Sequence, residues 1–401
     1  MTQCDHHRIL AMLGGDLNAR KEFSGGHRRF LEISRQWKKA GIEIVGIEFY
    51  PALARFARTN HIAIEVLPVQ LPVAHLALYS NVAQLSLKSL ALLKKGFNLV
   101  WDPGTSKSAN MATFVLQTLT RAPIIMTFHH CDHELWKKKL GQLFLAYRKL
   151  GYHIAGALLS ALDQRIVVEA FRRADAIFTV SEFSAKQLGL IGVDRSKIVV
   201  TGCGIRENQI GPSVRAKLYD GLYVGRMDPK KGIFDLLTIW TQVVSKKHTA
   251  RLIVVGKSSP SVGMFLRTIR NLGLLKNIDY RGWIPDKELE ATIESSRVFV
   301  FPTHIEGWGI SIAEAMAKGL PVVTYDIEPL NQLFPSDGVC FVAFPDVYKF
   351  ADTILKILSD EALQQEMGRK NITFARRYLW RDVAQKEMSA MKYLIRIGKW
   401  K

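Results

Sequence analysis

A glycine-containing loop in the second half of the chain combines charged residues with a helix start. The strand pattern VFVFPT, residues 298–303, is followed by THIEGWGISIAE, residues 303–314. In this segment, a loop with Gly307 and Gly309 leads into a helical pattern. Unpaired backbone N–H groups and the helix dipole at such a start can hold an anion such as a phosphate. The glycines allow close backbone approach, and Ser311 can cap the helix or donate to the anion.

Glu306 and Glu314 stand at either end of the loop and first helical turns. A glycosidase would need two carboxylates facing each other across about 5 to 9.5 Å. On a continuous helix their spacing of eight residues gives about 12 Å of rise, so an acid–base pair is not the natural interpretation. Two separate carboxylates are better suited to binding hydroxyl groups.

A second turn carries cations. YVGRMDPKKGIFDLL, residues 223–237, has the pattern of a strand, a glycine-containing turn and a helix, and the turn contains Arg226, Lys230 and Lys231. Arginine binds phosphate oxygens in pairs and lysine acts as a point charge, so this turn suits a diphosphate. In isolation, the same pattern is also common on solvated surfaces.

The elements that must position these turns alternate between strand and helix. Short runs rich in β-branched and aromatic residues recur between helical patterns, which is typical of parallel sheets with crossover helices. We therefore predict an α/β chain with two doubly wound, Rossmann-like domains. The expected strands cover residues 9–13, 42–47, 63–67, 98–101, 124–128, 176–180, 197–201, 221–225, 251–255, 278–281, 298–301, 321–325 and 339–342.

The domain boundary is expected near the middle of the chain. Residues 204–214 contain glycine and proline without periodicity, which indicates a linker. We assign residues 1–205 to an N-terminal domain and residues 206–377 to a C-terminal domain. Residues 378–401 are expected to form a helix that crosses back to the N-terminal domain.

Composition limits the class of protein. The chain has 401 residues, 48% of them apolar, and a net charge of +19, so two globular domains and a polyanionic partner are expected. Its four cysteines form no CxxC pair, which disfavours a zinc ribbon or a disulfide framework and fits a reducing cytoplasm. No stretch reads as a secretory signal or a transmembrane span.

Taken in order, the motifs resemble those of the retaining GT-B glycosyltransferases of family 4, the glycosyl transferases group 1. The resemblance rests on GRMDPKKG, LIVVG, YRGWIPDKEL and EGWGISIAE followed by AMAKGLPVV, with weaker matches at SGGHRR, GIEI, TFHH and ADAIFTVSEFSAKQL. It covers nearly the whole chain and is strongest from Gly221 to Val323. It implies the GT-B fold, in which two Rossmann-like domains face a central cleft.

The resemblance implies that the C-terminal domain binds a nucleotide-diphosphate sugar as donor. Arg226 and Lys231 should bind the diphosphate and stabilise the leaving nucleotide. Glu314 should hold the ribose hydroxyls, and Glu306 should contact the transferred sugar. The other donor-binding residues at the helix start are Gly307, Trp308, Gly309, Ile310 and Ser311.

The N-terminal domain contributes three further residues to this implied site. Gly25 and Gly26 should form a loop that closes over the phosphates. His129 should face the sugar near its anomeric carbon; His130 is adjacent, and the TFH register favours His129. The implied catalytic residues are then His129, Glu306, Arg226 and Lys231.

The resemblance further implies that a hexose-type sugar is transferred with retention, without an enzyme nucleophile, a metal or another cofactor. No Asp-x-Asp element is placed to hold a metal–diphosphate complex, and DHHR and HHCDHE lack a matched set of metal ligands. The donor is left open as a UDP- or GDP-sugar. The acceptor is left open as a glycan or a lipid-linked molecule.

A basic, amphipathic segment lies between the TFHH and ADAIF motifs. Its apolar residues, among them Trp136, Leu140, Tyr147, Ile154 and Leu158, keep a helical period, with lysines on the other side. This fits either an ordinary domain helix or an interfacial helix on an anionic membrane, and the overall basicity favours the membrane. We therefore expect a cytoplasmic protein with peripheral contact at the cytoplasmic face of a membrane.

Two other functions stay open at this stage. A sugar-nucleotide 2-epimerase would share the GT-B architecture and would be revealed by a product assay with donor alone. A nucleic-acid-binding protein would suit the charge of +19. However, no recognised nucleic-acid motif is present and the basic residues are dispersed, so no nucleic-acid partner is expected.

Overall fold

The chain folds into two compact units. The computed structural model describes residues 8–13, 25–48, 63–66, 74–97, 99–104, 106–129, 154–212, 215–256, 259–335 and 337–396. The N-terminal unit comprises Met1–Gly202 and Trp380–Lys401, and the C-terminal unit comprises Cys203–Leu379. The chain thus passes between units within a few residues of the boundaries assigned at 205 and 377.

The N-terminal unit is built on a seven-stranded sheet. Its strands are β1 Arg8–Met12, β2 Glu43–Glu48, β3 Ala63–Val66, β4 Leu99–Asp102, β5 Ile124–Phe128, β6 Ala176–Thr179 and β7 Ile198–Val200. They pair in parallel in the order β3-β2-β1-β4-β5-β6-β7. The helices described between them are α1 Gly25–Lys39, α2 Ala74–Leu93, α3 Lys107–Leu119, α4 Ile154–Arg173 and α5 Glu182–Leu190.

The C-terminal unit repeats the scheme with a six-stranded sheet. Its strands are β8 Tyr219–Val224, β9 Leu252–Val255, β10 Ile278–Gly282, β11 Ser296–Phe301, β12 Val322–Tyr325 and β13 Val339–Val342. They pair in parallel in the order β10-β9-β8-β11-β12-β13. Its helices are α6 Ile233–Lys246, α7 Val262–Asn271, α8 Asp286–Glu294, α9 Ile310–Ala317, α10 Leu330–Leu333, α11 Val347–Ser359 and α12 Glu361–Ala375.

The central strands are apolar because helices cover both faces of each sheet. Every residue of β4, β5, β9 and β12 is buried. The sequences of these strands are therefore mostly apolar and do not alternate between apolar and polar residues. Each strand predicted from the sequence has a counterpart, and the predicted fold class is confirmed. None of the described helices combines the length and the apolarity that crossing a bilayer requires.

The last helix, α13 Trp380–Arg396, belongs to the N-terminal unit although it follows the C-terminal unit in the chain. It packs on α1, and the indole Nε1 of Trp37 donates to Ala384 O at 3.3 Å. Over residues 204–212 the predicted linker is anchored rather than free, because Ile205 N–H donates to Tyr378 O and Gly211 N–H donates to Ala317 O. Both of these contacts lie within the C-terminal unit.

A buried charge network joins α1 to α13. The Arg29 guanidinium, 1% exposed, donates to a carboxylate oxygen of Glu387 and, at 2.8 Å, to Thr201 Oγ1. Thr201 in turn donates to the same Glu387 oxygen at 2.9 Å. Burial raises the pKa of Glu387, although Arg29 opposes this. Each charge therefore depends on the other, since an unpaired buried charge is strongly unfavourable.

We expect Glu387→Ala to lower the free energy of unfolding by about 3 to 5 kcal/mol, because it leaves the Arg29 charge buried without its partner. Replacing both charges, as Arg29→Met with Glu387→Leu, should restore most of the loss. Urea unfolding followed by tryptophan fluorescence measures both effects.

The exposed pair Arg8–Glu43 of the same unit provides the control for this experiment, with an N–O distance of 2.8 Å. Glu43→Ala should cost at most about 1 kcal/mol, as is usual for surface ion pairs. If Glu387→Ala and Glu43→Ala lower the free energy of unfolding equally, the buried network stabilises the unit no more than a surface ion pair does.

Candidate active site

Each sheet reverses its strand order at one place, between β1 and β4 in the N-terminal unit and between β8 and β11 in the C-terminal unit. In doubly wound sheets, ligands bind outside the carboxyl ends of the strands at such a reversal. The two motif-bearing turns of the C-terminal unit follow β8 and β11, on either side of its reversal. The strand order therefore places them side by side.

The turn after β8 is held rigidly by its own side chains. Tyr223 OH donates to Arg226 O at 3.0 Å, and Asp228 Oδ1 accepts the N–H of Lys230 at 2.9 Å. Gly232 then begins α6 with a φ of +70°. A Cβ at Gly232 would lie 1.7 Å from Pro302 O, so only glycine lets this turn approach the loop after β11 so closely.

The loop after β11 ends in a helix start that can hold an anion. Gly309, with a φ of +96°, caps α9 without a side-chain hydrogen bond. Ser311 therefore lies inside the first turn. Of the two roles considered for it, cap or phosphate donor, the cap belongs to Gly309. The amides of Ile310 and Ser311, like those at every helix start, have no intrahelical acceptor. Together with the Ser311 hydroxyl, they offer hydrogen bonds to a phosphate.

Trp308 supports this loop from inside the unit. Its side chain is 3% exposed and packs edge-on against Phe334 and Tyr378, with ring centroids 5.7 and 5.4 Å apart. The indole therefore fixes the loop to the core. The side chain of Trp308 is therefore not available to a ligand.

The structure brings Lys231 and Glu306 into direct contact. Lys231 Nζ donates to Glu306 Oε1 at 2.6 Å and to Ile305 O at 2.7 Å. The two side chains are 13% and 14% exposed. An ammonium group has three protons, so this geometry leaves Lys231 one donor for a further acceptor such as a phosphate oxygen.

The other two charged residues that are predicted to bind the donor in this unit, Arg226 and Glu314, differ in exposure. The Arg226 side chain is 60% exposed, and its nearest carboxylate oxygen, Asp228 Oδ2, is 3.9 Å away. Its guanidinium therefore remains accessible to a diphosphate at the same sheet edge. Glu314 is buried on α9. Glu306 precedes α9, so the distance along a continuous helix does not apply to this pair of carboxylates.

Sequence reasoning did not single out a neighbouring polar group behind this loop. Asp235 Oδ2 lies 3.0 Å from His304 Nε2 and accepts from Tyr325 OH at 2.9 Å. His304 stands two residues before Glu306, and Asp235 four residues after Lys231. The sequence signal was weak, since a histidine and an aspartate so far apart imply contact only once the strand order is known.

In the N-terminal unit, the ring of His129 is oriented by the main chain. His129 follows β5, and its Nε2 lies 2.9 Å from Pro103 O. Because a carbonyl oxygen can only accept, Nε2 carries the proton and Nδ1 is the acceptor of the neutral ring. Burial and the charge of Arg29 lower the pKa of His129 to about 4. The imidazole is therefore neutral near pH 7 and suited to accept from a hydroxyl.

Asp102, at the end of β4, holds the turn that orients His129, and sequence reasoning missed it. Its Oδ1 accepts the Gly104 N–H and its Oδ2 accepts from Thr113 Oγ1, both at 2.9 Å. Burial raises the pKa of Asp102 to about 7. A Cβ at Gly104 would lie 2.2 Å from Thr127 O, so the turn requires glycine. The available signal was a lone carboxylate ending the apolar strand LVWD.

Gly25 and Gly26 are the first two residues of α1, which corrects the expectation that they form a loop. A helix start also presents amides to an anion, so the donor contact expected of them stays a prediction. His130 and the basic residues around Trp136 lie outside the described residues. Among the part of the chain that is described, no three His, Cys, Asp or Glu side chains form a group that could hold a metal ion.

Sequence comparisons relate the chain to glycosyltransferases. Residues 23–209 match the model for Glycosyltransferase Family 4, and residues 207–374 match the model for Glycosyl transferases group 1. The chain is 28% identical over 241 residues to the O-antigen chain mannosyltransferase B of Escherichia coli, covering 56% of this chain and 62% of that protein. It is 25% identical over 327 residues to the capsular polysaccharide biosynthesis glycosyltransferase CapM of Staphylococcus aureus, covering 77% and 81%.

Solved structures share the fold. The crystal structure of Anabaena HepE in complex with UDP and glucose superposes with a TM-score of 0.76 at 16% identity, covering 96% of this chain and 100% of that one. The two family matches together run from residue 23 to residue 374. The chain therefore belongs to the family 4, group 1 glycosyltransferases of the GT-B fold.

Proposed function

We propose that this glycosyltransferase moves a hexose-type sugar from a UDP- or GDP-sugar to a growing glycan or a lipid-linked acceptor, with retention of the anomeric configuration. The observation that carries the proposal is the contact between Lys231 and Glu306 at the strand-order reversal, beside the free helix start of α9. A cation, a carboxylate and unpaired amides at one sheet edge fit the two ends of a sugar diphosphate. The amides and cations suit the diphosphate, and the carboxylate suits the sugar.

The residues assigned to the donor have different roles according to their charge. Lys231 and Arg226 neutralise the negative charge that grows on the departing diphosphate, and the amides of Ile310 and Ser311 add hydrogen bonds. Glu314 accepts from the ribose hydroxyls. Glu306 accepts from a hydroxyl of the transferred sugar and is held in place by Lys231. HepE, which was solved with UDP and glucose, supports a donor of this chemical class.

Retention follows, in this proposal, from attack on the face that the diphosphate leaves. The bond from the anomeric carbon to the phosphate oxygen breaks, the acceptor oxygen bonds to that carbon, and its proton passes to the departing phosphate. Glu306 is a poor nucleophile because Lys231 already engages its carboxylate at 2.6 Å. No protein–sugar bond and no metal or other cofactor is required.

The N-terminal unit contributes polar groups without net charge. We assign to His129 a hydrogen bond from a sugar hydroxyl to Nδ1, since Nε2 is already bound to Pro103 O. The start of α1, at Gly25 and Gly26, offers amides to the donor phosphates. The names of the two sequence relatives, an O-antigen mannosyltransferase and a capsular polysaccharide glycosyltransferase, support a glycan acceptor.

We also propose that the N-terminal unit touches an anionic membrane from the cytoplasmic side. Ile154, Leu158 and Leu162 are exposed on α4 and are spaced four residues apart, so they share one helix face. The net charge of +19 would favour an anionic lipid surface. The four cysteines of the sequence form no CxxC pair, which suits a reducing compartment.

Lys231→Ala should weaken binding of UDP or GDP roughly ten- to hundredfold, since a hydrogen bond to a charged group contributes about 1.5 to 3 kcal/mol. Calorimetry with UDP, GDP and ADP identifies the base and measures the loss. Lys230→Ala is the matched control, because Lys230 is the neighbouring, exposed lysine. Unchanged nucleotide affinity in a folded Lys231→Ala protein would reject the donor site.

The product should keep the anomeric configuration of the donor sugar, and turnover should survive EDTA. NMR of the anomeric carbon in the product determines the first, and activity after chelation determines the second. An inverted product would contradict the retaining mechanism. A parallel incubation with donor alone tests the epimerase alternative, since an epimerase would convert the sugar nucleotide without an acceptor.

Replacing Leu158 and Leu162 with serine should release the protein from phosphatidylglycerol-containing vesicles, because each buried leucine contributes about 1.5 to 3 kcal/mol. Co-sedimentation measures the bound fraction. Leu190→Ser, at an even more exposed leucine of α5, is the control and should bind as the parent does. Parent protein that stays in the supernatant, or equal loss in both variants, would remove the membrane proposal.

A further inference from the structure

His304 connects the two turns of the donor site in two ways at once. Its backbone N–H donates to Lys230 O at 3.0 Å, and its ring Nε2 lies 3.0 Å from Asp235 Oδ2. Asp235 is in the first turn of α6, directly after the turn that carries Lys231. The loop after β11 is therefore fastened both to that turn and to the helix that follows it.

The direction of the side-chain hydrogen bond follows from its partners. An ionised carboxylate can only accept, so His304 Nε2 donates to Asp235. Tyr325 OH donates to the same Oδ2 atom at 2.9 Å, from the end of β12. Asp235 thus accepts two hydrogen bonds, one from His304 in the loop after β11 and one from Tyr325 behind that loop.

Aromatic packing restricts the imidazole further. The Phe344 ring meets it edge-on with centroids 5.0 Å apart, and Tyr325 lies 6.2 Å away. Ile305 O and the Glu306 carboxylate, which follow His304 directly, both accept from Lys231. Because Glu306 is only two residues from His304, a shift of the imidazole would also move the Glu306 carboxylate, which is assigned to the transferred sugar.

We propose that His304 is a positioning residue: its hydrogen bond to Asp235 fixes the Ile305–Glu306 segment on Lys231 and so sets the orientation of the transferred sugar. This inference rests on the proposed function. It concerns recognition of the sugar more than binding of the nucleotide. Tyr223 OH donates to Arg226 O at 3.0 Å, the Lys231 N–H donates to Asp228 O at 2.8 Å, and Gly309 caps α9, and none of these three supports involves His304. The expected signature is a loss of sugar selectivity while nucleotide affinity is kept.

The test uses two substitutions that separate the hydrogen bond from the ring. His304→Phe keeps an aromatic ring against Phe344 and removes the donor to Asp235, whereas His304→Gln keeps a donor and removes the ring. Tyr325→Phe is the matched control, because it removes the other hydrogen bond to the same Asp235 oxygen without touching the loop. The probes are UDP with UDP-glucose and UDP-galactose, or GDP with GDP-mannose and GDP-glucose, whichever nucleotide the parent binds.

His304→Phe should lower kcat/KM for the preferred sugar nucleotide about tenfold, the usual effect of losing a charged hydrogen bond. It should also narrow the preference between the two epimeric donors and leave the Kd for UDP or GDP within about threefold of the parent. His304→Gln should recover most of the activity, and Tyr325→Phe should behave as the parent does.

Three results would overturn the inference. They are parent-like selectivity in His304→Phe, an equal defect in Tyr325→Phe, and a loss of UDP or GDP affinity as large as the loss of kcat/KM. The last would mean that the whole turn had collapsed. A parent protein that binds neither nucleotide would instead reject the proposed function, and the inference with it.

Discussion

The ion pair between Lys231 and Glu306 joins two turns that are 75 residues apart in the sequence. It exists because β8 and β11 are neighbours in the sheet and because Gly232 lets one backbone come against Pro302. Pairing the two charges lets both be largely buried without the full penalty of an isolated charge. The same pair also couples the two halves of donor recognition, since one partner is assigned to the phosphates and the other to the sugar.

The two units share a doubly wound topology, but the ionisable groups at the carboxyl ends of their strands differ in charge. At its reversal, the C-terminal unit presents Lys231, Arg226 and Glu306, all charged groups. At the corresponding edge of the N-terminal unit, burial works against charge, lowering the pKa of His129 to about 4 and raising that of Asp102 to about 7. This difference fits the proposal that Lys231 and Arg226 bind the charged diphosphate, whereas His129 meets a neutral hydroxyl group.

Much of the architecture could be predicted from the sequence, since continuous runs of apolar, β-branched residues indicate buried strands. The strands and the doubly wound class followed from local patterns, as did the position of the two turns that we propose bind the donor. The side-chain partners could not be predicted in the same way. Lys231 with Glu306, and Asp235 with His304, meet only because of strand order, which local periodicity does not encode.

The errors in the site have equally local causes. Ser311 was considered as a cap or a phosphate donor because serine favours both positions, but Gly309, two residues earlier, adopts the left-handed conformation and is the cap. Gly25 and Gly26 were expected in a loop because the family resemblance implies one there, yet they begin α1. Asp102 and Arg29 went unnoticed because a single charge in an apolar context has no pattern of its own.

The return of α13 to the N-terminal unit has a consequence for synthesis on the ribosome. Arg29 emerges early, whereas Glu387, its buried partner, is 358 residues further along. Until that helix is made, the N-terminal unit carries an uncompensated cation in its interior and an uncovered face on α1. The C-terminal unit, with both ends of its chain segment paired at Ile205 and Leu379, can complete its core first. The C-terminal unit therefore needs no residue beyond Leu379 to complete its core, whereas the N-terminal unit needs α13.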